Sequence, residues 1–132
     1  MADSFRELTV WQRSMQLTVS IYRLTQKFPH EEIYGLTSQI RRSAVSVPSN
    51  IAEGHGRLGT GEYRQFLGFA RGSNFELQTQ IEIARALGFG DSKLLDEAEG
   101  LSFEVGKMIS GILNTIKEKE QGQRPKPLIP NP

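Results

Sequence analysis

The sequence predicts an all-α protein, an antiparallel four-helix bundle with up-down-up-down topology. In four successive stretches, apolar residues recur at alternating steps of three and four, a spacing that forms one stripe along a helix. Strict alternation of apolar and polar residues is not sustained anywhere, so we expect no sheet. The chain has 132 residues, the size of one domain, and the short links between the stretches favour antiparallel neighbours.

The first helix is predicted from Thr9, a suitable N-cap, towards Pro29, since the residue before a proline resists the α conformation. Its apolar stripe comprises Val10, Ser14, Leu17, Ile21, Leu24 and Phe28, widened by Trp11, Met15 and Tyr22. The second helix is predicted over about residues 34–56 from the pattern's extent. Its stripe comprises Leu36, Ile40, Ala44, Val47 and Ile51.

The third helix is predicted to follow Thr60 as N-cap and to end at Gly88 and Gly90. Its stripe comprises Tyr63, Phe66, Leu67, Ala70, Leu77, Ile81, Ala84 and Leu87. The fourth is predicted to open at Asp91 or Ser92. Its stripe comprises Leu94, Ala98, Leu101, Val105, Met108, Ile112 and Ile116.

Residues 1–120 are predicted to form the bundle, and residues 121–132 a separate tail. The tail carries Pro125, Pro127, Pro130 and Pro132, and such a segment cannot continue a helix. One interpretation is a disordered terminus. The other is a polyproline II ligand, since Pro127 and Pro130 have PxxP spacing.

The composition excludes several classes of protein. Cysteine is absent, which excludes disulfides, thiolate metal sites and cysteine nucleophiles and fits a reducing cytoplasm. No apolar run approaches the roughly 20 residues that span a membrane, and the first residues do not resemble a secretory signal. The net charge is only +1, so nucleic-acid binding would require a local basic patch. We therefore expect a cytoplasmic protein with no membrane partner.

Catalytic patterns are scarce. The two histidines, His30 and His55, do not follow a glutamate by three residues, so the Glu-x-x-His pattern of di-iron bundles is missing. There is no HExxH motif and no nucleophile elbow, and Glu53 and His55 are two apart, so they point apart on a helix. We expect no enzyme, no catalytic residue, no metal site and no cofactor.

Residues 54–59 match the dinucleotide pattern GxGxxG. A helix rather than a strand precedes them, so a Rossmann fingerprint is rejected, and the glycines are expected to reverse the chain between two helices. A weaker alternative stays open, in which Arg57, the loop amides and the start of the third helix hold a phosphate.

Pro48 lies inside the second predicted helix, where it removes one backbone hydrogen bond. Ser43, Ser46, Ser49 and Asn50 surround it and can bond freed backbone groups. The resulting kink is interpreted either as fitting a curved bundle or as shaping a subunit interface. A hairpin centred near Gly59 would set three pairs level on the second and third helices, namely Arg42 with Glu76, Ser46 with Gly72, and Asn50 with Gly68. We predict that Arg42 and Glu76 form a structural ion pair.

Arginines recur at multiples of seven residues, at Arg57, Arg64, Arg71 and Arg85, with Gln78 interrupting the series. Seven residues make nearly two turns, so these side chains form a slowly drifting row. The row either follows a phosphate backbone or is a solvated face neutralised by nearby glutamates. Those glutamates are Glu53, Glu62 and Glu82.

The stretch from Gly35 to Gly54, with its core Arg41-Arg42-Ser43-Ala44-Val45-Ser46-Val47-Pro48-Ser49-Asn50, closely resembles intervening-sequence proteins. These four-helix bundles are encoded within inserts of bacterial large-subunit ribosomal RNA genes, and also elsewhere. The likeness extends to Phe5-x-x-Leu8-x-Val10-Trp11, Tyr22-x-Leu24-Thr25-x-x-Phe28-Pro29, Gly56-Arg57, Glu62-Tyr63-x-x-Phe66-Leu67 and Ala70-Arg71-Gly72-Ser73-x-x-Glu76-Leu77. The proline-rich tail falls outside it.

The resemblance implies a ring-like homopentamer with no established enzymatic activity. It also implies kinship with accessory proteins of diversity-generating retroelements, basic pentamers that bind nucleic acid and a reverse transcriptase. The positions that match the family signature and serve folding, assembly or binding are Arg41, Arg42, Ser46, Pro48, Asn50, Glu53, Gly54, Arg57, Gly72, Ser73 and Glu76.

Two functional hypotheses follow. In the first, the protein is a homo-oligomeric accessory protein that binds RNA or DNA, with phosphates contacted by Arg41, Arg42, Arg57, Arg64 and Arg71. In the second, it is a protein-interaction scaffold that binds no nucleic acid and docks a partner on the bundle surface or the tail.

Overall fold

A computed structural model describes residues 4–122 of the chain, and within this range there are helices and no strands. The four long helices are α1 (Thr9–Thr25), α2 (Leu36–His55), α3 (Thr60–Leu87) and α4 (Ser92–Gly122). Short 3₁₀ turns at Phe5–Glu7 and His30–Glu32 precede α1 and α2. The prediction of an all-α fold is confirmed.

Each helix packs against two others, so that α1 lies diagonally opposite α3. The contacts pair later residues of one helix with earlier residues of the next, the order expected of antiparallel neighbours. Between α1 and α2, Thr25 contacts Arg41 and Thr18 contacts Ala44. Between α3 and α4, Asn74 contacts Ser102 and Arg64 contacts Glu120. This arrangement is a four-helix bundle.

The core contains every residue of the central stripes predicted for the first and second helices. Of the residues predicted to widen the first stripe, Trp11 is half-buried, whereas Met15 and Tyr22 are exposed.

In α4 the prediction is confirmed at Ala98, Val105 and Ile116, which are buried, but it is off by one position at three others. Leu95, Ser102 and Ile109 are buried there, whereas Leu94, Leu101 and Met108 are only half-buried. At residues 94–95 and 108–109 both neighbouring positions are apolar, so the pattern does not decide which one is buried, and at 101–102 the buried residue is the polar Ser102.

The ends of the helices depend on different groups. The carboxylate of Asp91 accepts hydrogen bonds from the backbone N–H groups of Lys93 and Leu94 at 2.9 and 3.2 Å, which caps α4. Gly88, with φ of 73°, ends α3 in the left-handed region, and Leu87 just before it is 56% exposed rather than core. Thr9 and Thr60 were expected as N-caps, but they are the first residues of their helices and the caps are Leu8 and Gly59.

The fourth helix continues to Gly122, two residues past the predicted boundary at residue 120. The rest of the proline-rich tail, residues 123–132, lies outside the described residues. Among the helices that are described, none is both long and apolar enough to cross a membrane.

A polar pair in the core joins α3 to α4. The Asn74 amide donates to the backbone oxygen of Ser102 at 2.9 Å, and the Ser102 hydroxyl donates to the Asn74 oxygen at 2.7 Å. Both residues are buried, so each group satisfies the other where water cannot. Because the two bonds form at one relative position only, the pair fixes the register of α3 on α4.

We expect Ser102→Ala to lower the free energy of unfolding by about 1–3 kcal/mol, because it leaves the buried Asn74 oxygen without a donor. Ser49→Ala is the control, since this exposed hydroxyl bonds only a carbonyl of its own helix, and it should change stability by about 0.5 kcal/mol or less. Urea unfolding followed by circular dichroism measures both. Equal stability of the two variants would contradict a register role for the pair.

Candidate functional site

The contact between α2 and α3 holds most of the predicted signature residues. The hydroxyls of Ser46 and Ser73 lie 2.9 Å apart. The Asn50 amide donates to the backbone oxygen of Ser46 at 2.8 Å and to its hydroxyl at 3.0 Å. The predicted register set Ser46 level with Gly72, so it is correct to within one residue. These three polar residues hold the helices together and do not form a ligand site by themselves.

Arg42 and Glu76 line one shallow groove between α2 and α3, together with Ser43, Ser46 and Ser73. The predicted ion pair does not form, since neither side chain has an ion-pair partner within residues 4–122. Instead, the Gln80 amide lies 3.4 Å from the Glu76 carboxylate. Both side chains are exposed, so hydration competes with a contact between them.

Pro48 is buried within α2 and supplies no N–H for the carbonyl of Ala44. That carbonyl accepts a hydrogen bond of 3.1 Å from the hydroxyl of Thr18 on α1, which also bonds its own helix at 2.8 Å. The expectation that nearby polar residues bond the group freed by Pro48 is therefore wrong for the Ala44 carbonyl. Ser49 and Asn50 bond the carbonyls of Val45 and Ser46, whereas Ala44 depends on a distant residue that no local sequence signal indicates.

The signature glycines differ in their surroundings. A Cβ added to Gly54 would lie 2.7 Å from the Cβ of Phe66, so only glycine permits this approach of α2 to α3. Gly72 is exposed, and a Cβ there would meet nothing within 4 Å. Packing within a single chain thus explains why position 54 must be a glycine, but it does not explain the glycine at position 72.

Two of the arginines proposed to contact phosphate are held by neighbouring side chains. Arg41 donates to the Thr25 hydroxyl at 2.8 Å, and its guanidinium lies 4.6 Å from the ring centre of Tyr22. Arg57 pairs with Glu53 at 2.7 Å and more loosely with Glu62 at 3.8 Å. The Arg57 guanidinium also lies 5.0 Å from the ring centre of Phe66. These contacts join the α2–α3 loop to α3, and the two carboxylates largely neutralise the charge of Arg57.

Arg64 and Arg71 come together in an open groove between α3 and α4, with a volume of about 440 Å³. We call it the basic groove, and its lining residues are Arg64, Arg71, Leu113, Asn114, Lys117, Glu120 and Gln121. Sequence reasoning missed Lys117 and Asn114, because only the packing of α4 on α3 brings them to the arginine row.

Among the residues that line the basic groove, Glu120 is the single carboxylate, and it already pairs with Arg64. Arg71 has no ion-pair partner within residues 4–122 and lies over the ring of Phe75 at 5.4 Å. Two cationic groups thus stay uncompensated.

Further along α3, Arg85 pairs with Asp96 at 3.1 Å and Glu99 at 3.6 Å, not with Glu82 as expected. A hydrogen bond with Glu82 and desolvation raise the pKa of Glu99, while the charge of Arg85 lowers it. On α3 the arginines therefore face α4. Carboxylates of α4 neutralise Arg85, whereas Arg71 in the basic groove has no carboxylate partner within residues 4–122.

The solvent-facing side of α3, next to the arginine row, carries exposed apolar residues. We call it the α3 outer face, and it comprises Gly68, Phe69, Gly72, Phe75, Thr79 and Ile83. Phe69, Phe75 and Ile83 are 49%, 52% and 43% exposed, which is unusual for such large apolar groups on one helix face. A Cβ on Gly68 or Gly72 would meet nothing within 4 Å, so another backbone has room to approach closely there.

His30 and His55 lie at the two ends of α2, one in the turn before it and one at its last residue. The His55 ring packs edge-on against Tyr63 at 6.2 Å, and burial raises the pKa of the Tyr63 hydroxyl. Within residues 4–122, no group of three histidine or carboxylate side chains is close enough to hold a metal ion.

The chain is similar to known proteins in its sequence pattern and in its fold. The model of a family described as 23S rRNA-intervening sequence protein matches residues 6–111. A crystal structure of a protein of unknown function from Bacteroides thetaiotaomicron, assigned to the S23 ribosomal protein family, superposes with a TM-score of 0.72. The two are 19% identical over 80% of this chain and 98% of that one, so the likeness shows the fold. No curated protein matches the sequence.

Thr18→Val should lower the free energy of unfolding by about 1–3 kcal/mol, because the Ala44 carbonyl loses its donor. In a Pro48→Ala background the alanine N–H can bond that carbonyl, so the same substitution should cost clearly less. Chemical unfolding of the wild type, both single variants and the double variant measures the coupling between the two sites. Strictly additive costs would contradict the compensation.

Proposed function

Because this chain belongs to the family of 23S rRNA-intervening sequence proteins, we propose that it is a non-enzymatic, self-assembling bundle that binds the phosphate backbone of RNA or DNA. The observation that carries nucleic-acid binding is the basic groove, where Arg71 and Lys117 lie uncompensated beside Arg64. Self-assembly rests on a separate observation, the exposed α3 outer face.

The chemistry of the basic groove suits phosphate better than it suits bases. Arginine presents several donors to phosphate oxygens and lysine a point charge, while Asn114 and Gln121 add neutral donors at the rim. The groove has no aromatic platform among its lining residues on which bases would stack. We therefore expect binding that follows the backbone and discriminates weakly between sequences.

The net charge of +1 makes binding depend on this groove. Screening limits the field of exposed charges to about 8 Å at physiological salt, so arginines on other faces contribute little. Arg41 and Arg57 are occupied by internal contacts, and Arg42 lies in the groove between α2 and α3. Of the five arginines predicted to contact phosphate, the proposal therefore keeps Arg64 and Arg71, and it adds Lys117.

The α3 outer face supports self-assembly. A second patch lies between α1 and α4, where the apolar Met15, Val19 and Leu101 are bordered by Gln16, Arg23 and Glu97. Since α1 is diagonally opposite α3, the two patches are on opposite sides of the bundle. Different patches on opposite sides favour head-to-tail contacts, which close into a ring when the rotation between copies allows it. A homopentamer is the ring that we propose.

A protein-interaction scaffold is the second candidate function. The same α3 outer face would then bind another protein, such as a reverse transcriptase, instead of a second copy, and the bundle would bind no nucleic acid. The apolar exposure favours this candidate as much as it favours self-assembly. The solution mass of the chain separates the two.

The double substitution Arg64→Ala and Lys117→Ala should weaken binding to single-stranded RNA. Removing about two phosphate contacts should make the slope of log affinity against log salt shallower by about 1.4. Fluorescence anisotropy over a salt series measures this. The control is Arg13→Ala with Lys107→Ala, which removes the same charges from another face and should retain the wild-type slope. Equal losses in both variants would show that the groove has no special role.

In a second test, Phe69→Asp with Ile83→Asp should convert the assembly to single chains, because two charges replace apolar contacts on the α3 outer face. Sedimentation or native mass spectrometry should give a mass near 14.8 kDa for this variant and about five times that for the wild type. Leu58→Asp is the control, since that side chain is fully exposed in the α2–α3 loop. A wild type that is a single chain at micromolar concentration would reject self-assembly and favour the scaffold.

A further inference from the structure

The exposed glycines of the α3 outer face are not explained by packing within one chain. Gly68 and Gly72 are about one helical turn apart, and Glu76 continues the same line along α3. A Cβ at either glycine would meet nothing within 4 Å, and the Glu76 carboxylate has no ion-pair partner within residues 4–122. This line along α3 therefore combines open space at two positions with a free negative charge at the third.

The patch between α1 and α4, on the opposite side of the bundle, carries a complementary series. It is a groove of about 490 Å³ in which Met15, Val19 and Arg23 follow one another at steps of four residues along α1. All three side chains are exposed, and the Arg23 guanidinium has no ion-pair partner in the part of the chain that the structure describes. Two large apolar side chains and a free positive charge thus face solvent in the same order.

The two series lie at the same heights along the bundle. Equal heights on adjacent helices are marked by two side-chain hydrogen bonds, which join Thr25 to Arg41 and Ser46 to Ser73. Counting along antiparallel helices from these bonds places three residues of α1 level with three residues of α3, to within about one helical turn. The level pairs are Met15 with Gly68, Val19 with Gly72, and Arg23 with Glu76. Because α1 and α3 run in the same direction, the two series match position by position.

We propose that the α3 outer face of one copy docks in the patch between α1 and α4 of the next copy, with Val19 over Gly72 and Arg23 paired with Glu76. The inference rests on the proposed self-assembly, and it names the residues that form the contact. A rotation about an axis parallel to the bundle keeps every residue at its own height. Level residues on opposite sides of the bundle therefore meet when copies join head to tail.

A second copy is the occupant that the charges favour. The carboxylate of Glu76 complements the guanidinium of Arg23, and complementary charges fix the register of an interface. Glu97 lines the same patch as Arg23, so this guanidinium can contact carboxylates of both copies. The open space over Gly72 lets two helices approach closely, and the side chain of Val19 fills it. A contact between two α3 outer faces would instead leave Arg23 and its patch uncovered and would give a dimer rather than a ring.

Charge reversal on each side of the contact tests the pairing. Arg23→Glu alone and Glu76→Arg alone should each weaken association of the chains by about tenfold or more, because like charges then meet. The double variant, Arg23→Glu with Glu76→Arg, should associate to within about threefold of the wild type, because the charges are complementary again. Sedimentation equilibrium over a concentration series measures all four proteins. Since α1 and α3, both described in full, do not touch within one chain, recovery in the double variant can arise only between copies.

Arg23→Glu with Glu118→Arg is the matched control. It has the same net charge as the double variant, but Glu118 is exposed near the end of α4, outside both surfaces, so association should stay as weak as in Arg23→Glu alone. A steric test compares Gly72→Trp, which should give single chains, with Gly111→Trp, which should keep the wild-type mass. Both glycines are exposed on long helices, and a Cβ at either meets nothing within 4 Å.

The outcomes separate this contact from self-assembly itself. Recovery in the double variant but not in the Glu118 control supports the contact. A wild type that assembles while the double variant stays dissociated would overturn the pairing and leave self-assembly in place. Undiminished assembly of Arg23→Glu or of Gly72→Trp would overturn it in the same way. A wild type that is a single chain would reject the proposed self-assembly, and this contact with it.

Discussion

The close approach of α2 to α3 is the constraint on which the other features depend. Gly54 leaves no space for a side chain against Phe66, and the hydroxyls of Ser46 and Ser73 meet further along the same contact. Small residues on both helices allow this distance, as in other tightly packed helix pairs. The contact fixes how α3 is rotated about its axis, and α3 carries both the basic groove and the apolar outer face. A different rotation would exchange the sides that face α4 and solvent.

Polar groups within the bundle add specificity to this packing. Apolar stripes tolerate small slides and rotations, because one aliphatic side chain replaces another at little cost. Hydrogen bonds between buried groups do not tolerate such slides and rotations, because a displaced donor or acceptor finds neither water nor another partner. Asn74 with Ser102 joins α3 to α4 in this way, and Thr18 with the Ala44 carbonyl joins α1 to α2. The proline in α2 is therefore accommodated by a different helix.

The arginines show that one residue type serves two purposes in this protein. Arg41, Arg57 and Arg85 contact hydroxyls, carboxylates and aromatic rings of neighbouring residues, so they stabilise the fold. Arg71 and Lys117 have no carboxylate partner within residues 4–122 and face a groove that is open to solvent. Arg71 and Lys117 thus bring two uncompensated positive charges together between α3 and α4, in a chain whose net charge is only +1. The apolar α3 outer face lies beside this groove, and the guanidinium of Arg71 meets the ring of Phe75 at the border between the two surfaces.

The sequence by itself determined the four helices, the buried stripes of α1 and α2, and the family, because helical periodicity and a local signature are properties of neighbouring residues. It also placed the register of α2 and α3 to within one residue, since a short hairpin leaves little freedom. Only the tertiary structure decided which of two adjacent apolar positions in α4 enters the core, that Arg42 and Glu76 stay apart, and that Lys117 joins Arg64 and Arg71. Each of these depends on the rotation and separation of helices distant in sequence, and those follow from the packing of all side chains together. No local spacing encodes them.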